Sequence, residues 1–158
     1  MIRLFFISCF LFLGTGLLAQ EEGDTVYKRC PLYITDTLTA NNFFIEGLPA
    51  TIKVYKVSGD LTIAIQQKEQ FFTMFFKDRK LKTGKYKIAV NPGGREIAAK
   101  YSFRSGGQVS YVNVSNDTLE SVFDKEKNLW HLKLHGMIAN LVERSVTWYR
   151  VRADFYVK

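Results

Sequence analysis

The chain has 158 residues, of which 47% are hydrophobic and 23% charged, a length and balance that fit one folded domain and exclude a disordered polymer. Two cysteines in all exclude a disulfide-stapled scaffold. An excess of 22 lysines and arginines over 15 acidic residues gives a net charge of +7. That sign favours anionic partners, although a charge of this size also serves only to keep a small domain soluble.

The first nineteen residues read as an export signal rather than as part of the domain. Met1-Ile2-Arg3 is a short positive start, and Leu4 to Leu18 is an apolar run without a charge. Ala19 offers a small residue for cleavage, after which Glu21, Glu22 and Asp24 turn the chain acidic. The apolar run falls short of the roughly 20 residues that span a bilayer, which disfavours an uncleaved anchor. A lipoprotein is disfavoured because Cys9 is followed by more apolar chain, Phe10 to Leu18, instead of ending it. The expectation is an exported protein (periplasmic, outer-membrane-associated or secreted) with no membrane span in the mature chain. Removing 19 of 158 residues leaves 139, with a charge of +6 because Arg3 is lost. Cys30 is then the single cysteine, so no intrachain disulfide can form, and a packed, inert thiol is expected.

Residues 20–41 show no clear periodicity and read as a leader, with an edge strand around Tyr33. Residues 42–158 read as a β domain. Asn42 to Glu46 is the first predicted strand. Ile52 to Val57 and Leu61 to Gln66 alternate strictly between apolar and polar, as half-buried strands do. Phe71-Phe72-Thr73-Met74-Phe75-Phe76 is apolar on both faces, which fits a covered central strand or an association surface. Lys85 to Val90 follows, then the turn Asn91-Pro92-Gly93-Gly94, then Ala99 to Arg104. Ser105-Gly106-Gly107 predicts a hairpin into Val109 to Val114. Thr118 to Phe123, Leu129 to Asn140 and Val146 to Val157 complete about ten strands, the last with Arg150, Arg152 and Asp154 opposite its apolar face. The fold class expected is all-β: an antiparallel β-sandwich of the jelly-roll or immunoglobulin-like kind, with a closed calycin-like barrel as the alternative.

Catalytic and metal signatures are absent. His131 and His135 flank Lys133 on one strand face, their ends about 13 Å apart, too far to share one metal. There is no serine-hydrolase elbow and no zinc-protease motif. Strand-end carboxylates such as Glu120 and Glu126 leave a hydrolase as the last-ranked reading. No cofactor, no metal and no enzyme activity are expected. The strongest positive feature is a basic run: Lys77, Arg79, Lys80, Lys82, Lys85 and Lys87, opposed only by Asp78. It follows the aromatic strand, so an uncovered strand would set Phe72, Met74 and Phe76 beside the cations as an aromatic surface. Charge with ring stacking suits an anionic polymer or lipid headgroups. The same lysines also suit a solvated hairpin protected from edge-to-edge aggregation.

Four short motifs resemble small secreted or lipid-anchored bacterial β-sandwich proteins of unknown function. They are Phe43-Phe44-Ile45-Glu46-Gly47, Thr83-Gly84-Lys85-Tyr86, Leu132-Lys133-Leu134-His135-Gly136 and Ala153-Asp154-Phe155. The likeness covers most of the mature chain and departs from the lipid-anchored members in lacking a usable lipobox. It implies a fold and a compartment, and no catalytic residues. The favoured function is therefore an exported binding module for an anionic glycan, envelope component or protein, with nucleic acid not expected. A carrier barrel for a lipid or other apolar ligand is the alternative, motivated by the doubly apolar strand.

Overall fold

The computed structural model describes residues 20–38, 42–115, 118–142 and 145–158; the export signal and its cleavage point lie outside them. It is all-β, with eleven strands and no helix among the described residues. They are β1 (Gln20–Tyr27), β2 (Leu32–Asp36), β3 (Ala50–Val57), β4 (Asp60–Gln67), β5 (Gln70–Phe76) and β6 (Gly84–Ile88). Then come β7 (Glu96–Ser105), β8 (Gln108–Asn113), β9 (Thr118–Asp124), β10 (Leu129–Val142) and β11 (Ser145–Val157). All belong to one hydrogen-bonded sheet in the order β1-β3-β4-β5-β7-β6-β9-β10-β11-β2, with β8 added on β7. The sheet curls into a half-barrel.

Side-chain alternation sets the faces. Ile52 and Val54 of β3, Ile63 and Ile65 of β4, Tyr86 and Ile88 of β6, and Leu132 and Leu134 of β10 all point into the curl. Val151, Ala153, Phe155 and Val157 of β11 join them. The two-faced apolar strand β5 lies between β4 and β7, so it is central. Phe72, Met74 and Phe76 are 0–1% exposed, and they form no surface. Their parity directs them inward beside Ile63 and Ala99. This corrects the aromatic-surface expectation for those three residues. Phe71 and Phe75 take the outer face instead, Phe75 at 37% exposure.

Three departures from the sequence reading have identifiable causes. The edge strand expected around Tyr33 is β2, which pairs with β11, but the stretch read as a leader supplies the other edge as well, β1, paired with β3. Cys30 between them is buried, and burial pushes its thiol up, in keeping with an inert side chain. Residues 42–46 form no strand. Asn42 Oδ1 accepts from the Ile34 and Phe44 N–H groups, which bends the chain. The buried Gln67 amide then takes the place of a partner strand, its Oε1 accepting from Ile45 N–H at 2.8 Å and its Nε2 donating to Ile45 C=O at 2.9 Å. Finally, Asn91-Pro92-Gly93-Gly94 does not close a hairpin, because β6 and β7 run parallel. The chain leaves β6, loops through residues 89–95 and returns on the same side, with Ala89 N–H donating to Ile97 C=O at 2.8 Å. Gly106 and Gly107, at φ 55° and 81°, do make the predicted tight β7–β8 hairpin.

The ends of the curl approach each other through a side chain. Tyr27 at the end of β1 donates its hydroxyl proton to Tyr156 C=O at 2.9 Å and accepts from Tyr156 N–H at 2.7 Å. One phenol thus satisfies both backbone groups of a residue in β11.

Candidate functional site

The outward residues of β6, β9, β10, β11 and β2 form a face on which the register fixes the order of charges. One row reads Lys85, Glu120, Lys133, Asp154 across β6, β9, β10 and β11. Directly opposed neighbours stand about 5 Å apart, so these alternating charges compensate one another. Asp154 is further engaged by His131 Nε2 at 2.5 Å, and the His131 ring lies flat on Tyr156 at 4.3 Å.

The next rows are different. Lys87 faces Thr118, and Arg152 lies between His135 and Tyr33. Arg150 lies between Met137 and Thr35. Among the described residues, Lys87, Arg150 and Arg152 make no ion pair. Arg150 and Arg152 are two residues apart on one strand, about 7 Å, and Lys87 is three strands away, about 14 Å. All three are exposed. Lys87 has Glu96 opposite it on β7, so the cations without a carboxylate opposite are Arg150 and Arg152.

A groove of about 520 Å³ runs beside these two arginines between β2, β10 and β11. Tyr33, Lys133, His135, Arg150 and Arg152 stand around it, together with Asp154, the carboxylate engaged by His131. Its floor is the chain at Leu134 and Ala153, whose side chains point into the core. Burial, and then the nearby Glu46 carboxylate, push the Tyr33 phenol up.

The predicted basic run is not one patch. Lys77 pairs with Asp60 at 3.6 Å, and Lys82 pairs with Asp78 at 2.8 Å, both in exposed positions. Arg79 and Lys80 turn to one end of the curl, where they line a depression of about 250 Å³ with Lys56, Lys158 and Trp130. Lys85 and Lys87 fall on the outer face of β6, as the alternation in Gly84–Ile88 requires. There Lys85 has Glu120 opposite it and Lys87 has Glu96, so none of the six joins Arg150 and Arg152. The carboxylates considered for hydrolysis are separated: Glu120 sits mid-strand between Lys85 and Lys133, and Glu126 lies in the β9–β10 turn. There the Asp124 carboxylate accepts the N–H groups of Glu126 and Lys127, and the Lys127 N–H in particular holds it below the usual range.

Arg150, Arg152, His135 and Tyr33 were visible in the sequence only as outward positions on separate strands. Pairing β10 with β11, and β11 with β2, is what collects them. A comparison of the chain with family models, with curated proteins and with solved structures gives no match.

Proposed function

We propose that the chain is a non-catalytic binding module that holds a linear anionic polymer, an acidic glycan of the cell envelope, across the outer face of β6, β9, β10, β11 and β2. One observation carries this reading: Arg152 and Arg150 stand about 7 Å apart on β11 with no carboxylate opposite either, beside a groove rimmed by Tyr33. Two cations in line along a strand suit repeated negative charges on a chain better than a single small anion. A phenol at the rim suits the flat face of a sugar ring. The export-signal pattern read in residues 1–19 supports a module that works outside the cytoplasm, where acidic glycans are met. On the finer architecture, we read the curl as a flattened open barrel whose halves face each other across the core as sandwich layers do. The contact between Tyr27 and Tyr156 supports that reading. The carrier alternative is weakened by the filled interior, where Phe44, Phe72, Phe76 and Phe155 are all below 2% exposure.

The test is binding to an immobilised acidic polysaccharide at low and physiological salt. The double charge reversal Arg150→Glu/Arg152→Glu is expected to weaken binding by about tenfold or more. The wild-type interaction should fade as salt screens it. Reversal of Lys77, Lys80 and Lys82 together, two of them already paired, should change it by less than about threefold. Undiminished binding by the face variant would overturn the proposal.

A further inference from the structure

We propose a second and independent site on the other half of the curl, beneath loop 89–95, that takes a small ring-shaped carboxylate. Thr62, Phe75 and Ala98 lie side by side on the outer face of β4, β5 and β7. The small residues in that row leave a hollow of about 420 Å³, walled by Phe75, Val57, Val90 and Pro92. The last two belong to the loop that carries β6 back to β7, which folds over this face instead of turning away from it.

Two features of the hollow point to a ligand. Thr62 is 0% exposed, lines the hollow, and has a hydroxyl without any hydrogen-bond partner. Buried hydroxyls are almost always paired, so an orphan on the wall of a hollow marks a position where a partner is missing. The second feature is Lys100. Its ammonium stands 6.0 Å from the Phe75 ring centre and 5.2 Å from that of Tyr111, and both contacts are ones that hold a cation in place. Lys77, also at the hollow, is matched by Asp60. Lys100 has no carboxylate opposite it among the described residues. A hollow with an apolar wall, one unmatched cation and one unused hydroxyl is complementary to a molecule with one anionic group on a ring. The carboxylate meets Lys100 and the ring packs on Phe75 and Pro92; a small shift of the side chains that seal Thr62 then lets its hydroxyl donate to an oxygen of the ligand. A hollow of this volume admits one or two rings.

Sugar acids and aryl carboxylates share this chemistry, so the experiment has two arms. Glucuronate and benzoate are titrated separately into the wild type, Thr62→Val and Lys100→Gln, with binding read by protein-observed NMR at millimolar ligand. Saturable shifts at residues 57–62, 75 and 90–98 with glucuronate alone identify a sugar acid. Shifts with benzoate alone identify an aryl acid, and shifts with both identify the shared chemistry. Each substitution should weaken binding about fivefold or more. Thr62→Val carries a second signature, because removing an orphan hydroxyl relieves the empty protein. Its melting temperature should rise by about 2 °C without ligand, while its affinity falls. The face variant Arg150→Glu/Arg152→Glu should bind these ligands as the wild type does. No saturable shift with either ligand, binding indifferent to both substitutions, or a lower melting temperature for Thr62→Val would each overturn the proposal.

Discussion

Tyr101 lies at the middle of an aromatic string in the core, stacked between Phe43 at 5.6 Å and Phe103 at 5.8 Å. Its hydroxyl donates to Gln70 Oε1 at 2.7 Å, and burial pushes its ionisation up to about 12. The unfolded phenol ionises near 10, so the unfolded chain gives up this proton first as pH rises. Stability from Tyr101 is therefore complete below pH 10 and is lost as pH climbs toward 12. Burial acts in the same direction on Tyr27 and Tyr55. Urea unfolding at pH 9, 10, 11 and 12 should show a loss on the order of 2 kcal/mol traceable to Tyr101. Tyr101→Phe gives up about 1 kcal/mol at neutral pH through the hydrogen bond with Gln70. It should then fall less steeply above pH 10 than the wild type, and parallel curves would refute the assignment. The inward direction of Tyr101 was readable from Ala99-Lys100-Tyr101-Ser102-Phe103 alone, because a period of two leaves one choice once a core face exists. Its partner Gln70 was not readable, since nothing local ties β5 to β7.

At the scale of elements, β10 shows what local pattern does and does not specify. Its length and alternation follow from the sequence, and so does the outward placement of His131, Lys133 and His135. Gly136 lies inside the predicted strand Leu129 to Asn140, and β10 runs through it to Val142 with no side chain at that position. The reason lies across the core: a Cβ at position 136 would come within 2.5 Å of Val114 Cγ1. Val114 is 1% exposed and has little room to move. Ser115 and Met137 exchange backbone hydrogen bonds at 2.8 and 3.0 Å right beside it, so the two chain segments are pinned together. Gly136→Ala should cost about 1–3 kcal/mol through overpacking, seen as a lower urea midpoint with an unchanged slope. Val114→Ala in the same chain should recover part of that loss, since the two changes touch one contact. If Gly136→Ala is as stable as the wild type, this account of the close approach is wrong. The parallel pairing of β6 with β7 escaped the sequence for a related reason. Asn91-Pro92-Gly93-Gly94 specifies that the chain turns, but turn chemistry does not say on which side of a strand it comes back.

For the whole molecule, single-sheet topology decides where charge collects. The six-residue cationic run drew attention because it is contiguous in sequence, yet folding disperses it among two ion pairs, one end of the curl and one strand face. The uncompensated cations are instead Arg150 and Arg152, set between β10 and β2, whose outward residues are far apart in the chain. Arg150 and Arg152 were legible as the polar side of the last strand. Only the register, with Arg152 between His135 and Tyr33, turns them into a surface. The same topology places the edges β1 and β2 at opposite ends of the strand order, with Tyr27 bridging to β11. A long-range sheet of this kind cannot be deduced from periodicity, because every strand reports its faces and none reports its neighbours.

Whether the face of β6, β9, β10, β11 and β2 receives an anionic chain is decided by mapping backbone amide shifts while an acidic oligosaccharide is added. The largest changes are expected on Tyr33, Thr35, His135, Arg150 and Arg152, with smaller ones on Lys87, and all of them should disappear at high salt. Changes confined to residues 77–83, or none at saturating ligand, would contradict the proposal.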